Sequence, residues 1–194
     1  HRGDVAVGQQ AIPHGSPIGT KAPKGKAMSW KSIADLIVQS GDAQIALVGA
    51  PMEAGSVTPG RCDLAPEIVR KTLRRFSTYD VETGKELNLR ILDAGDADVK
   101  GLMPADGFAP IEMAVARCTA DHDLTILLGG NNAVTRPAGH ALGVSLEKVG
   151  LITLDAHFDL RETDQGPLNG NPIRCLLEDG LPGRNICQIG LAPY

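Results

Sequence analysis

The chain has 194 residues, of which 42% are hydrophobic and only 3% aromatic, so a single domain with an aliphatic core is expected. Its formal net charge of -4 argues against a nucleic-acid partner, because binding to phosphates requires a basic face. No apolar run reaches the roughly 18 residues of a membrane-spanning helix. The four cysteines form no CxxC pair, which favours reduced thiols and a cytoplasmic location.

Apolar runs alternate with amphipathic segments along most of the chain. Residues 1–28 are rich in Gly, Pro and Lys and are predicted to form an N-terminal arm ahead of a domain over residues 29–194. Ser29 is predicted to cap a helix that carries Trp30, Ile33, Leu36 and Ile37 at helical spacing. Further helices are predicted over residues 66–76, 110–120, 133–142 and 172–178. Strands are predicted over residues 43–48, 88–92, 124–128, 149–154 and 185–189.

This β-α alternation predicts an α/β fold with a parallel sheet that is covered by helices on both faces. In open parallel sheets, ligands bind beyond the carboxyl ends of the strands. The loops that follow these ends are therefore the expected active edge; they come after Val48, Leu92, Leu128, Leu154 and Ile189.

The segment Asp155-Ala-His157-Phe-Asp159 follows the predicted strand that ends at Leu154. If the strand alternation continues, its two carboxylates and its imidazole project to the same side. Carboxylate and imidazole ligands of this kind suit Mn, Zn or Fe better than thiolate ligands would. The alternative is a capped turn with two solvated Asp side chains and a surface His.

Two further polar segments precede predicted helices. Gly129-Gly-Asn-Asn132 permits a tight turn close to a ligand, although a plain β-α turn with Asn as the N-cap has the same pattern. In Asn169-Gly-Asn-Pro-Ile-Arg174, the arginine is suited to a substrate carboxylate, with a solvated Arg as the alternative. The chain has no GxGxxG after a strand, no GxxxxGK[ST] and no GxSxG, which leaves a nucleotide fold or a serine hydrolase unsupported.

Five segments, in this order, resemble those of the ureohydrolases, the family of arginase, agmatinase and formimidoylglutamase. Residues 43–190 carry the resemblance, which is closest to the formimidoylglutamase branch. It implies a three-layer α/β/α fold, incomplete at the C-terminus, with a binuclear Mn site. The five segments are Gly49-Ala-Pro51, Asp93-Ala-Gly-Asp96, Gly129-Gly-Asn-Asn132, Asp155-Ala-His-Phe-Asp159 and Asn169-Gly-Asn-Pro-Ile-Arg174.

The resemblance also implies roles for individual residues. Asp155 would bridge the two metal ions, His157 would bind one of them and Asp159 the other, and Asp155 and His157 would be catalytic. Asn169 and Arg174 would contact the carboxylate end of a substrate. Asn132 stands where the family usually has a metal-binding His; its amide oxygen is a neutral and weaker donor for the metal.

The implied activity is Mn-dependent hydrolysis of linear amidino or formimino C–N bonds, foremost of formimidoylglutamate to glutamate and formamide. Agmatinase-like or guanidino-acid hydrolysis is one alternative. A non-catalytic ureohydrolase-like subunit is another, and an unrelated doubly wound binding protein is a third. The chain stops before the family's later Ser-x-Asp-x-Asp motif, so this piece alone is expected to bind metal weakly and to show little turnover.

Apolar sheet and helix surface is also expected to remain exposed, because a third of the family's fold is missing. The rest of the same polypeptide or another subunit, in a homo-oligomer, would cover that surface. No nucleic-acid or membrane partner is expected beside the small-molecule substrate.

Overall fold

The computed structural model describes residues 30–58 and 60–192. The predicted N-terminal arm and the Ser29 cap lie outside the described residues. The strands are β1 Ile37–Val38, β2 Ile45–Ala50, β3 Tyr79–Asp80, β4 Lys85–Glu86, β5 Ile91–Asp96, β6 Leu124–Gly129, β7 Leu151–Leu154 and β8 Ile186–Ile189. The α-helices are α1 Ala65–Thr72, α2 Pro104–Asp121, α3 Thr135–His140 and α4 Pro172–Glu178.

The central sheet contains four parallel strands in the order β1-β5-β2-β6. The side chains of β2 alternate between its two faces. Ala46 and Val48 pack in a cluster with Ile111 of α2, whereas Leu47 packs in a second cluster with Leu73, just after α1. Both faces of the sheet are therefore covered, which is why β2 is continuously apolar in sequence. The predicted α/β fold with a parallel sheet is confirmed.

Strands β7 and β8 form a separate parallel pair, and within the described chain neither pairs with the central sheet. The sequence makes no prediction about this separation, because hydrophobic patterns identify strands but not their neighbours. Leu151 and Ile186 pack beneath the pair against Leu176 of α4. On the other face, Ile152 is 70% and Leu154 84% exposed, in agreement with the expected exposed apolar surface.

Several element boundaries differ from the predictions. The first helix is only a 3-10 turn over Ile33–Leu36. Its start is fixed at Ser32, whose backbone N–H donates to the Asp35 carboxylate at 2.7 Å. The chain then continues directly into β1. The helix predicted to begin at Pro110 begins at Pro104 and keeps Pro110 inside it.

Strand β5 begins later and ends later than predicted. It spans Ile91–Asp96, so the acidic residues predicted to follow it lie inside it. Arg70 makes this possible, because its guanidinium binds the Asp93 carboxylate at 2.9 Å and the Asp96 carboxylate at 2.6 Å. No helix within the described ranges is long and apolar enough to cross a membrane.

Candidate metal and substrate site

The carboxyl ends of β2 and β6 are joined through their backbones. The N–H of Gly130 donates to the carbonyl of Ala50 at 2.8 Å, and the N–H of Asn131 donates to that of Met52 at 2.9 Å. A Cβ at Gly130 would lie 2.0 Å from the Met52 carbonyl oxygen, so only glycine permits this approach. The Gly-Gly pair in the sequence thus brings two strand-end loops into contact.

Asn131 ties the loop after β2 to the loop after β6. Its side chain is buried, and its Nδ2 donates to the carbonyls of Glu53 at 3.2 Å and Ala54 at 2.7 Å. Its Oδ1 accepts from the N–H of Ala133 at 3.0 Å. The predicted alternative, an N-cap in a β-α turn, is therefore realised at Asn131, which in addition holds the neighbouring loop in place.

The segment from Asp155 to Asp159 leaves strand geometry at once, since β7 ends at Leu154. The predicted alternation of side chains across this segment is therefore wrong. The Asp155 Oδ1 accepts from the backbone N–H of His157 at 2.8 Å and lies 3.3 Å from its Nδ1, which folds the segment into a turn. Asp159 adopts a left-handed conformation with φ of 56°, which Asp tolerates better than most residues.

Asp159 is the most buried carboxylate of this segment, with 9% of its surface exposed. Burial raises the pKa of Asp159, and the nearby charge of Asp155 raises it further. The hydrogen bond from Asn132 Nδ2 to Asp159 Oδ2, 2.6 Å long, counteracts this rise only in part. Two neighbouring carboxylates with too little compensating positive charge form an environment that favours a cation.

Asn132 meets Asp159 as a hydrogen-bond donor. Its Oδ1 accepts from the hydroxyl of Thr135 at 2.8 Å, so both ends of the amide are engaged. A metal ion would have to displace the Thr135 hydroxyl or share the oxygen with it. The role of Asn132 as a metal ligand therefore stays a prediction. Its hydrogen bond to the Asp159 carboxylate is present in the structure.

The loop between Asp159 and α4 is organised by a residue that sequence reasoning passed over. Asn171 is fully buried; its Oδ1 accepts from the N–H of Leu168 at 2.7 Å, and its Nδ2 donates to the carbonyls of Glu162 and Gly166, both at 3.0 Å. The signal in the sequence is the Asn-Gly-Asn-Pro segment, in which the resemblance points only to the first Asn. Asn171 therefore sets the path of the loop.

Asn169 and Arg174 are placed differently from one another. Asn169 lines the pocket described below, and its Oδ1 accepts from the N–H of Val57 at 2.9 Å. The Arg174 guanidinium instead pairs with Glu178 at 2.7 Å. It is the backbone N–H of Arg174 that reaches the site, donating to the carbonyl of Asp159 at 3.1 Å. Substrate binding by the Arg174 side chain stays a prediction.

A cavity of about 440 Å³ brings these loops together. Its lining includes His157 and Asp159, two of the four predicted metal ligands, together with the loop after β2 and the loop before α4. Arg161, which sequence reasoning did not single out, also lines it. The lining residues also include Val57, Asn169 and Gly170.

The donor set partly fits a divalent metal. Asp155, His157 and Asp159 supply two carboxylates and an imidazole within one turn, and the raised pKa of Asp159 indicates an electrostatic need for a cation. Among residues 30–58 and 60–192, however, no three His, Cys, Asp or Glu side chains are already arranged around one point. Metal binding would therefore require these side chains to converge from their present positions.

The fold and the site together define a parallel α/β protein with carboxylates and an imidazole at its ligand edge. Comparison with known proteins narrows this class, since the model of the arginase family matches residues 43–194. The chain belongs to the arginase family.

Individual relatives agree with this assignment. The formimidoylglutamase of Halalkalibacterium halodurans is 35% identical over 153 residues, or 76% of this chain and 48% of that protein. The crystal structure of Bacillus subtilis formimidoylglutamase matches with a TM-score of 0.74 at 26% identity, covering 90% of this chain and 56% of that one. Trypanosoma cruzi formiminoglutamase, solved with Mn2+, matches with a TM-score of 0.72 at 25% identity, covering 84% and 58%. The chain spans about half the length of the curated relatives it matches.

Proposed function

We propose that this chain carries part of the active site of a Mn-dependent hydrolase of linear C–N bonds, with formimidoylglutamate as the preferred substrate and glutamate and formamide as products. The observation that carries the proposal is the placement of His157 and Asp159 in one pocket, with the Asp155 charge close enough to raise the pKa of Asp159. Relatives named formimidoylglutamase support the choice of substrate.

Asp155, His157 and Asp159 would hold the metal. When bound, Mn2+ supplies Lewis-acid chemistry that lowers the pKa of water towards neutrality. Asn132 keeps Asp159 oriented through its 2.6 Å hydrogen bond, and the α4 backbone fixes the Asp159 carbonyl from the other side. Because the N–H of Val57 donates to the side-chain Oδ1 of Asn169, the Asn169 Nδ2 remains to donate to a substrate oxygen.

The proposal is tested by Mn2+ titration, metal analysis and turnover of formimidoylglutamate, agmatine and arginine. We expect one or more Mn2+ to bind and formimidoylglutamate to be the best substrate. Asp155→Asn should lower Mn2+ affinity by at least tenfold, because it removes a charged ligand from a site that has few. Asp42→Asn is the matched control, since Asp42 is exposed and precedes β2 at the opposite end of the sheet.

Unchanged metal content and activity in the Asp155 variant would show that the assignment is wrong. Preferred turnover of agmatine would instead favour the guanidino branch of the family.

A non-catalytic relative is the second candidate. The engaged amide of Asn132 and the absence of a ready three-residue ligand group in the described part of the chain favour it. Mn2+ binding by the full-length polypeptide without turnover of any of the three substrates would identify this case. Turnover by the full-length polypeptide would exclude it. Turnover by residues 1–194 alone, at a rate typical of the family, would in addition contradict the expectation that this piece is nearly inactive.

The exposed face of the β7–β8 pair supports a further part of the proposal, namely that other polypeptide covers it, either more of the same chain or another subunit of a homo-oligomer. Ile152, Leu154 and Ile189 are 70%, 84% and 49% exposed on this short pair, whereas parallel strands are normally buried on both faces. Light scattering after size exclusion tests the oligomer; a monodisperse monomer of 20.3 kDa would argue against it.

A further inference from the structure

Two helices hold Asp159 at the same time. Its carboxylate accepts at 2.6 Å from the side chain of Asn132, which lies in the 3-10 turn that leads directly into α3. Its backbone carbonyl accepts at 3.1 Å from the N–H of Arg174, in the first turn of α4. The position of this carboxylate in the pocket therefore depends on how α3 and α4 are placed relative to one another.

A cluster of charges joins the same two helices away from the pocket. The carboxylate of Asp179, the residue that follows α4, is bound by two side chains of α3. Arg136 donates to it with two nitrogens, at 2.7 and 2.8 Å, and His140 Nε2 lies 2.9 Å from it. The side chains of Arg136, Asp179 and His140 are 28%, 17% and 28% exposed, so solvent screens this cluster less than an ion pair on an open surface.

Helix α2 supports the cluster from behind. The ring of Phe108 lies 5.3 Å from the guanidinium carbon of Arg136 and meets the ring of His140 edge to face at 5.2 Å. Both partners of Asp179 are thus packed against the same aromatic ring. The cluster is therefore a fixed clamp between α3 and α4.

Apolar packing between α3 and α4 is incomplete. The two helices meet at Gly139 and Leu176, where a Cβ on the glycine would lie 3.1 Å from Leu176 Cδ2. A glycine allows close approach but offers no side chain to interlock with the neighbouring helix. A cavity of about 180 Å³ lies beside this contact and is lined by both residues. The Asp179 clamp is therefore needed to fix the relative position of the helices.

We propose that Asp179 is a positioning residue of the candidate site, which clamps α3 to α4 and so holds the Asp159 carboxylate against Asn132. Its importance for metal binding and turnover rests on the proposed hydrolase function. Asp179 does not line the pocket, so it acts through the two helices and not by contact with metal or substrate.

NMR of the full-length polypeptide without metal tests the clamp independently of catalysis. Asp179→Ala should shift the hydrogen-bonded side-chain amide proton of Asn132 upfield, because the bond to Asp159 lengthens. It should also speed hydrogen exchange at the Arg174 amide about tenfold, the equivalent of losing one charge-assisted hydrogen bond. Asp179→Glu keeps the charge and should reverse part of both changes.

A general loss of stability is controlled by Asn185→Ala. The side chain of Asn185 donates to the carbonyls of Glu147 and Val149, neither of which lies in α3 or α4. This variant should leave the Asn132 signal and the Arg174 exchange rate unchanged relative to other amides. Mn2+ titration should show a loss of affinity of about fivefold in Asp179→Ala and none in Asn185→Ala.

Arg136→Gln gives a second route to the same clamp and should change both NMR signals in the same direction. Because the two residues act as one unit, the double variant with Asp179→Ala should resemble Asp179→Ala alone. Unchanged signals in Asp179→Ala and Arg136→Gln, or equal changes in Asn185→Ala, would overturn the proposal. Failure of the hydrolase proposal gives a different result: both signals would still respond to Asp179→Ala, but the wild type would neither bind Mn2+ nor turn over formimidoylglutamate.

Discussion

Replacing Asn171 by Ala should destabilise the protein by about 3 kcal/mol. Asn171 is fully buried and makes three hydrogen bonds to the backbone, one accepted from Leu168 and two donated to Glu162 and Gly166. Each of these three hydrogen bonds contributes about 1 kcal/mol net. Asn171→Asp should be at least as damaging at neutral pH, because it places a carboxylate against two carbonyl oxygens.

Urea unfolding measures the loss of stability, and hydrogen exchange at the Leu168 amide shows where the loss occurs. The control is Asn185→Ala, since Asn185 also donates to two carbonyls, those of Glu147 and Val149, both at 3.0 Å. It should lower stability by about 2 kcal/mol without faster exchange at Leu168. If Asn171→Ala stays within about 0.5 kcal/mol of the wild type, an ordinary surface value, the reasoning about these three hydrogen bonds is refuted.

Two other perturbations have clear signs. Gly130→Ala should lower the free energy of unfolding by about 3 kcal/mol, because the new Cβ would lie 2.0 Å from the carbonyl oxygen of Met52. Gly183→Ala is the control, since a Cβ there meets only an ordinary contact at 3.9 Å. Equal denaturation midpoints for the two variants would contradict this prediction. Burial opposes ionisation of Asp179, but hydrogen bonds led by that from Arg136 outweigh it and lower the pKa of Asp179 below 3.8. Its stabilising effect is therefore fully present above that value and is lost as the pH falls through the lowered pKa; the gap in unfolding free energy between wild type and Asp179→Asn should shrink in acid, and a gap independent of pH would exclude the mechanism.

The central strands could be predicted from the sequence because each is a continuous apolar run, and continuous burial on both faces leaves that pattern. Strand β5 shows where this fails. Asp93 and Asp96 resemble loop residues until Arg70, more than twenty positions earlier, is known to neutralise them. Ion pairs between residues so far apart in the sequence depend on the tertiary structure, and a local sequence pattern does not predict them.

The candidate site was predicted in part for similar reasons. The loop that carries Asp155, His157 and Asp159 was predicted from the end of an apolar strand, but the turn within it depends on a side-chain-to-backbone hydrogen bond and on a left-handed residue. The sequence around Arg174 and Arg161 does not indicate which of the two arginines is paired with a carboxylate. Only the positions of the surrounding carboxylates show that it is Arg174.

The left-handed backbone at Asp159 also limits how this pocket can evolve. Only Gly, Asn, Asp and, less readily, His adopt this conformation at little cost, whereas other side chains lose about 1–2 kcal/mol there. Asp159 is the one described residue other than glycine with a positive φ, so positions 155 and 157 carry no such restriction. A lineage that changes its metal preference by exchanging ligands would find Glu and Cys penalised at position 159. If the three residues are metal ligands as proposed, the first substitutions would fall on positions 155 and 157, because the backbone conformation independently favours aspartate at position 159.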